Sequence, residues 1–244
     1  MLVLLAVAHS MLGEASILRP LFQQEWQVAE PRWAIERILR FVWHLTSVAW
    51  LALAAALLGV GLLPVVAAFS MVSAAIVFVM LRGHLAWPLF LLAGLASLHA
   101  DGRLTENVLS VGAAVAAVVL VLAAAIHVYW AFGGKWMLDV ASPPPPPGAR
   151  AFQPGPLLTL AVAAALLVFA GLVVAASAGS GPTFVRTLVW VGVAVFAVRA
   201  IGDTKTAGFT KSDRTSAFAQ ADDQWFTPIV VLIALGAAAS VVAA

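Results

Sequence analysis

Three ionisable side chains stand well inside long apolar runs of this chain: Glu14, His44 and His127. A titratable group in hydrocarbon costs several kcal/mol unless it is paired or hydrated, so such positions are where chemistry is sought first. Glu14 and Asp222 are the candidate acid and base, and His44 and His127 the candidate proton carriers or orienting groups. An apolar cavity favours the neutral carboxylic acid, which makes a carboxyl usable as a general acid near neutral pH. His9, Tyr129, Trp130, Arg199 and Asp203 are the candidate substrate-binding residues around them. At about 1.5 Å per residue, Glu14, His44 and His127 fall in one layer roughly 6–10 Å below the cytoplasmic surface, with His9 deeper. The polar side chains therefore predict a pocket in the cytoplasmic third, open to the cytosol and roofed by apolar helix.

Pairings follow from spacing. Ser10 and Glu14 are four apart and share a helix face, whereas His9 and Glu14 do not. Glu14 is placed to accept a hydrogen bond from His44 across two helices. Arg199 and Asp203 stand in i, i+4 register, which reads as a structural ion pair. Arg40, Arg82 and Arg199 mark helix ends, where long side chains snorkel to the interface.

Other chemistries are excluded by what the chain lacks. There is no cysteine, hence no disulfide framework, thiolate metal site or cysteine nucleophile. No H-E-x-x-H, Walker loop or G-x-G-x-x-G fingerprint occurs, and no metal site is expected. With five histidines, a haem held by two of His9, His44 and His127 is the one cofactor left open.

The elements that must carry these residues are set by composition. Of 244 residues, 63% are hydrophobic and 10% charged, with a mean hydropathy of +1.04. A soluble domain carries about 25% charged residues, so this is an all-α polytopic membrane protein. A span needs about 20 apolar residues. Eight segments are predicted: 2–18, 38–60, 63–81, 86–100, 108–131, 157–178, 184–201 and 226–243. The first carries Ala6-Val7-Ala8, but no basic residue precedes its apolar run, so it reads as a span and not as a signal peptide.

Basic residues orient the chain. Eleven lie in the odd-numbered connections and two, Arg103 and Arg186, in the even ones. Cytoplasmic loops retain Lys and Arg, so both termini face outward. The bases are scattered, which gives no nucleic-acid footprint. Pro143 to Pro147 form a polyproline II spacer in the fifth connection.

The halves resemble each other. His9 is followed by Gly13, and His127 by Gly133; Trp87-Pro88 and Trp225-Phe226-Thr227-Pro228 look like matching helix starts, with proline in the first turn. This predicts two four-helix units, 1–104 and 105–244. An even number of spans gives both copies one orientation, so they are parallel repeats related by an axis along the membrane normal.

From residue 126 onward the chain carries His127-Val128-Tyr129-Trp130-Ala131-Phe132-Gly133-Gly134, then Phe196-Ala197-Val198-Arg199-Ala200-Ile201-Gly202-Asp203, then Phe218, Asp222 and Pro228. These residues resemble the bacterial integral-membrane family called domain of unknown function 3995. The resemblance implies a four-helix membrane module in a bacterial cytoplasmic membrane and no established activity. The first half lies outside it.

Three functions compete. One is an enzyme acting by acid–base chemistry on a lipidic or isoprenoid-like molecule, with Trp and Phe walls tolerating a developing cation. A second is a small-solute carrier with a midplane site near His9. The third is a non-catalytic scaffold or accessory subunit, in which polar groups only join helices. The bilayer is the expected partner; protein partners are not legible.

Overall fold

The computed structural model describes residues 1–25, 32–145, 154–179 and 181–243. Among them every regular element is a helix. We number these α1 Leu2–Phe22, α2 Arg32–Leu57, α3 Leu62–Met80, α4 Ala86–Ala100, α5 Glu106–Ala131, α6 Pro156–Ser177, α7 Thr183–Ile201 and α8 Ala217–Val242. Apolar runs of Ala, Leu and Val become helices here because a helix satisfies its own backbone groups without water. Gly59, Gly133, Gly179 and Gly202 end four of them at positive φ.

Seven of the eight helices are long and apolar enough to cross a membrane. The exception is α4, whose 15 residues rise only about 22 Å against a hydrocarbon core of about 30 Å. The eight expected spans are thus eight helices, of which seven have spanning length. Two starts also move. α2 begins at Arg32 and α8 at Ala217, because the charges Arg32, Glu36 and Arg37 in one and Asp222 and Asp223 in the other interrupt the apolar run that a hydropathy reading follows. Arg32 and Glu36 pair in i, i+4 register at 2.8 Å in the first of these helices. Pro146, Pro147, Gly148 and Arg150, part of the expected spacer and loop, lie outside the described residues.

The earlier start of α8 overturns the match between Trp87-Pro88 and Trp225 to Pro228. Pro88 does sit in the first turn of α4, but Pro228 lies inside a continuous helix. That helix accommodates it by a π turn, Asp222–Phe226, in which the Thr227 N–H donates to the Asp222 carbonyl. α1 repeats the device: its π turn, Glu14–Leu18, has the Arg19 N–H donating to the Glu14 carbonyl just before Pro20. Proline has no N–H and its ring crowds the carbonyl four residues back; the wider turn relieves both.

The chain forms two compact units, Met1–Leu104 and Thr105–Ala244. In the first, α1 packs on α2, α2 on α3 and α3 on α4, one after another. In the second, α5 packs on α6 and α8, and α7 on α6 and α8, which closes a bundle. Its core holds Leu120, Val173, Val189, Ile233 and Ala237. α5 and α8 come close because Gly236 lacks a side chain; a Cβ there would lie 2.5 Å from the Gly112 carbonyl oxygen. Outside these contacts the helices present aliphatic side chains, such as Leu4, Leu58, Val118 and Val168, a surface suited to lipid.

Candidate functional site

In the first unit the polar residues of α1 and α2 meet along one seam. His9 Nδ1 lies 3.1 Å from Ser47 Oγ and 3.4 Å from Thr46 Oγ1. Ser10 Oγ donates to Ser47 Oγ at 2.9 Å and lies 3.1 Å from His44 Nδ1. The other ring nitrogen of His44, Nε2, is 3.7 Å from Glu14 Oε2. Arg40 Nε donates to both Glu14 oxygens, at 3.2 and 3.3 Å. The side chains His9, Ser47, Ser10 and His44 are thus joined by hydrogen bonds, as are Glu14 and Arg40, and a 3.7 Å approach of His44 to Glu14 links the two sets. Each imidazole has two exchangeable positions and each hydroxyl both donates and accepts.

Local sequence builds this seam. Ser10 and Glu14 share a face of α1, and His44 and Ser47 are one turn apart on α2. Gly13 is buried against Trp43, where a Cβ would lie 2.0 Å from the indole nitrogen. Trp43 Nε1 donates to the His9 carbonyl at 3.0 Å, and its ring stacks on the His9 ring at 4.6 Å. Trp50 meets His9 edge-on at 4.9 Å. Ser47 is buried, while Glu14 and His44 keep about a quarter to a third of their side chains exposed (23% and 33%). Thr46, at the other end of the seam, is exposed.

The second unit gathers its charges differently. Asp222 is fully buried. Its carboxylate accepts from Arg199 Nη2 at 2.6 Å, Lys211 Nζ at 2.9 Å, the Gly208 N–H at 2.8 Å and Thr227 Oγ1 at 3.0 Å. Oδ1 takes the Arg199 bond and Oδ2 the other three. Lys211, equally buried, also pairs with Asp223, and Arg214 approaches Asp223 at 3.2 Å. The expected Arg199–Asp203 ion pair is absent: α7 ends at Ile201, and Gly202 at φ 100° turns the chain away. Asp203 instead caps its own loop, accepting from the N–H groups of Lys205, Thr206 and Ala207 and from the Thr206 hydroxyl. These bonds hold the Asp203 carboxyl well below the usual carboxylate range. Asp213, bonded to Ser216 and Thr215, is likewise lowered to about 2.

His127, Tyr129 and Trp130 stand together at the end of α5. His127 Nδ1 donates to the Ala123 carbonyl at 2.8 Å, which leaves Nε2 the acceptor in the neutral ring. Trp130 meets the His127 ring edge-on at 5.1 Å and donates to the Trp136 carbonyl at 2.8 Å. Tyr129 covers Gly134 and, with Leu122, Ala125, Ile126 and Trp136, lines an open apolar groove of about 530 Å³. Among the described residues no hydrogen bond or ion pair joins His127 to Asp222, and no three His, Asp or Glu side chains converge as metal ligands.

Eight of the nine predicted residues therefore fall into three groups: His9, His44 and Glu14; Arg199 and Asp222; His127, Tyr129 and Trp130; Asp203 stands apart, bonded within its own loop. Several partners went unrecognised in the sequence. Arg40 turns inward onto Glu14 where a snorkelling end residue was expected, Lys211 is buried where a loop cation was expected, and Ser47 and Thr227 carried no charge to draw notice. A signal was present: an acidic residue six positions before a proline within an apolar helix, Glu14 with Pro20 and Asp222 with Pro228.

Residues 119–237 match the family model described as a protein of unknown function, DUF3995. The C-terminal half resembles DUF3995. The match runs from α5 to α8, so the Asp222 cluster lies within the DUF3995-like segment and the His9 to Arg40 seam lies outside it. No curated protein and no solved structure matches the chain.

Proposed function

We propose that this is a multi-pass protein of a bacterial cytoplasmic membrane that binds a lipidic, isoprenoid-like molecule beside the α1–α2 seam and moves a proton on it. The run from His9 to Glu14 carries this reading. Glu14, partly exposed, exchanges protons with solvent through His44, and His9 and Ser47 deliver them deeper into the apolar layer. A purely structural pairing of α1 with α2 would need only one or two of these contacts. Asp222, a candidate acid or base by sequence, is assigned to architecture in this reading, because it is fully buried and held by four donors. That enclosure favours a scaffolding role for the second unit.

The reading includes eight spans in two four-helix repeats, with α4 as a short eighth span and both termini outside. The excess of basic residues in the odd connections supports it. Because the chain has no cysteine, single introduced cysteines report topology without background: Arg82→Cys and Ser142→Cys are to be labelled from the cytosol, and Arg103→Cys from outside. Labelling of Ser142→Cys from outside would remove α4 from the count.

The chemistry is tested by incubating membranes containing the full chain with a lipid extract in D₂O and reading carbon-bound deuterium by mass spectrometry. Wild type is expected to label one lipid class, and Glu14→Gln and His44→Ala to lose that label while keeping normal expression. Equal labelling by all three proteins, or by none, overturns the acid–base reading.

A further inference from the structure

Glu14 is a single carboxylate facing two permanent cations. Arg40 reaches it through Nε at 3.2 Å and Arg19 through Nε at 3.5 Å. Both arginines thus spend the inner edge of the guanidinium on Glu14, and among the described residues their terminal Nη groups have no partner. Arg40 is held in this pose by Phe22, whose ring lies 4.7 Å below the guanidinium carbon. Arg19 and Arg40 keep 69% and 35% of their side chains exposed, so the free edges face outward. Glu36, the acid nearest in sequence on α2, is taken by Arg32. The cluster carries one positive charge more than it neutralises, with a fork of N–H donors at the Glu14 end of the α1–α2 seam, and Met11 and Leu12 of α1 are exposed in the turn before Glu14.

Two guanidinium edges of this kind match the oxygens of a phosphate group, which accepts such forks bidentately. We propose that Arg19 and Arg40 form the head-group site for a phosphate-bearing lipid, its apolar tail lying along α1 and α2. This rests on the lipidic substrate proposed above and specifies its class. Glu14 then has two tasks: it spaces the two guanidinium groups and stays within reach of His44.

The test uses the full chain in dodecyl maltoside, titrated with farnesyl phosphate, farnesol or inorganic phosphate and followed by tryptophan fluorescence. Trp43, beside Gly13, is a built-in reporter. Farnesyl phosphate is expected to bind at least about tenfold more tightly than either of the others. Arg19→Gln and Arg40→Gln are each expected to weaken it by about tenfold or more, the worth of a charge-assisted hydrogen bond. Arg40→Lys, which keeps the charge and loses the fork, serves if Arg40→Gln fails to fold, and an intermediate loss is expected. Arg82→Gln, outside the cluster, is expected to bind as wild type. Farnesol binding as tightly as farnesyl phosphate overturns the proposal, as does unchanged affinity in Arg19→Gln and Arg40→Lys. Inorganic phosphate binding as tightly as farnesyl phosphate assigns the cluster to a free anion and overturns the lipid head group. The two readings fail separately: deuterium labelling of a neutral lipid keeps the acid–base chemistry and removes this site, whereas phosphate-selective binding without labelling does the reverse.

Discussion

The two polar clusters of this chain start from the same local device and end in opposite states. Each begins with an acidic residue at the head of a π turn, followed six positions later by proline, and each acid meets an arginine from a neighbouring helix. Around Asp222 the carboxylate is fully buried and meets four donors, one at Oδ1 and three at Oδ2. Around Glu14 it keeps solvent access, its distances are longer, and a histidine stands at 3.7 Å with room to approach. A polar group inside apolar helices is thus not diagnostic of chemistry by itself. What separates the two clusters is burial and the number and closeness of the donors.

Substitution should separate the clusters sharply. Asp222→Ala leaves the buried Lys211 with Asp223 alone and the partly exposed Arg199 without a carboxylate, and is expected to cost about 3 kcal/mol, read as loss of folded protein on size-exclusion chromatography. Glu14→Gln is expected to leave the melting temperature within a few degrees of wild type. If the two variants melt alike, the distinction drawn here fails. Next in size is Gly202→Ala. A Cβ at this residue, φ 100°, would lie 1.8 Å from the Ala207 carbonyl oxygen, and the backbone strain alone is about 1–3 kcal/mol; a thermal melt of the purified chain checks it. Gly13→Ala pushes on Trp43 and is expected to cost about 1–3 kcal/mol while unstacking His9, visible as a shift in tryptophan emission. Ser10→Ala removes one link from the run and is expected to cost only about 0.5–1.5 kcal/mol, yet to uncouple His9 from His44 in an NMR titration of the two imidazoles.

The smallest effect belongs to pH. Asp203 and Asp213 have carboxyls lowered in the folded state by bonds from their own loop. A lowered folded pKa contributes stability that is complete above the unfolded value near 4 and is lost as pH falls through the folded one, about 2 for Asp213. Hydrogen exchange of the N–H groups of Lys205 to Ala207 and Thr215 to Ser216 should therefore stay protected from pH 7 down to about 4 and open below it. Opening between pH 6 and 7 would mean that another group holds the loop.

Much of this was legible in the sequence, for identifiable reasons. Helix cores are apolar runs, so all eight helices were placed; the starts at Arg32 and Ala217 were missed because charges near them, Arg32 to Arg37 and Asp222 to Asp223, interrupt the apolar run. Ser10 was matched to Glu14 by face, and His44 to Glu14 by type. The Arg199–Asp203 pair failed because i, i+4 spacing holds only while the helix continues, and Gly202 stops it. Arg40 and Lys211 were read as solvent-facing since position in a connection says nothing of which way a long side chain folds. Their partners, Glu14 and Asp222, are distant in sequence, and only the packed helices bring them together.

The burial of Lys211 and Asp222 bears on how the last helix enters the bilayer. Arg199 and Lys211 are synthesised before Asp222, so both counter-charges wait at the mouth of the translocon when the acidic turn emerges. The final hairpin can then seat as a neutralised pair of helices, α7 with α8, with the Asp222 charge met where it enters the apolar layer. A chain ending after Thr215 would leave Arg199 and Lys211 without Asp222.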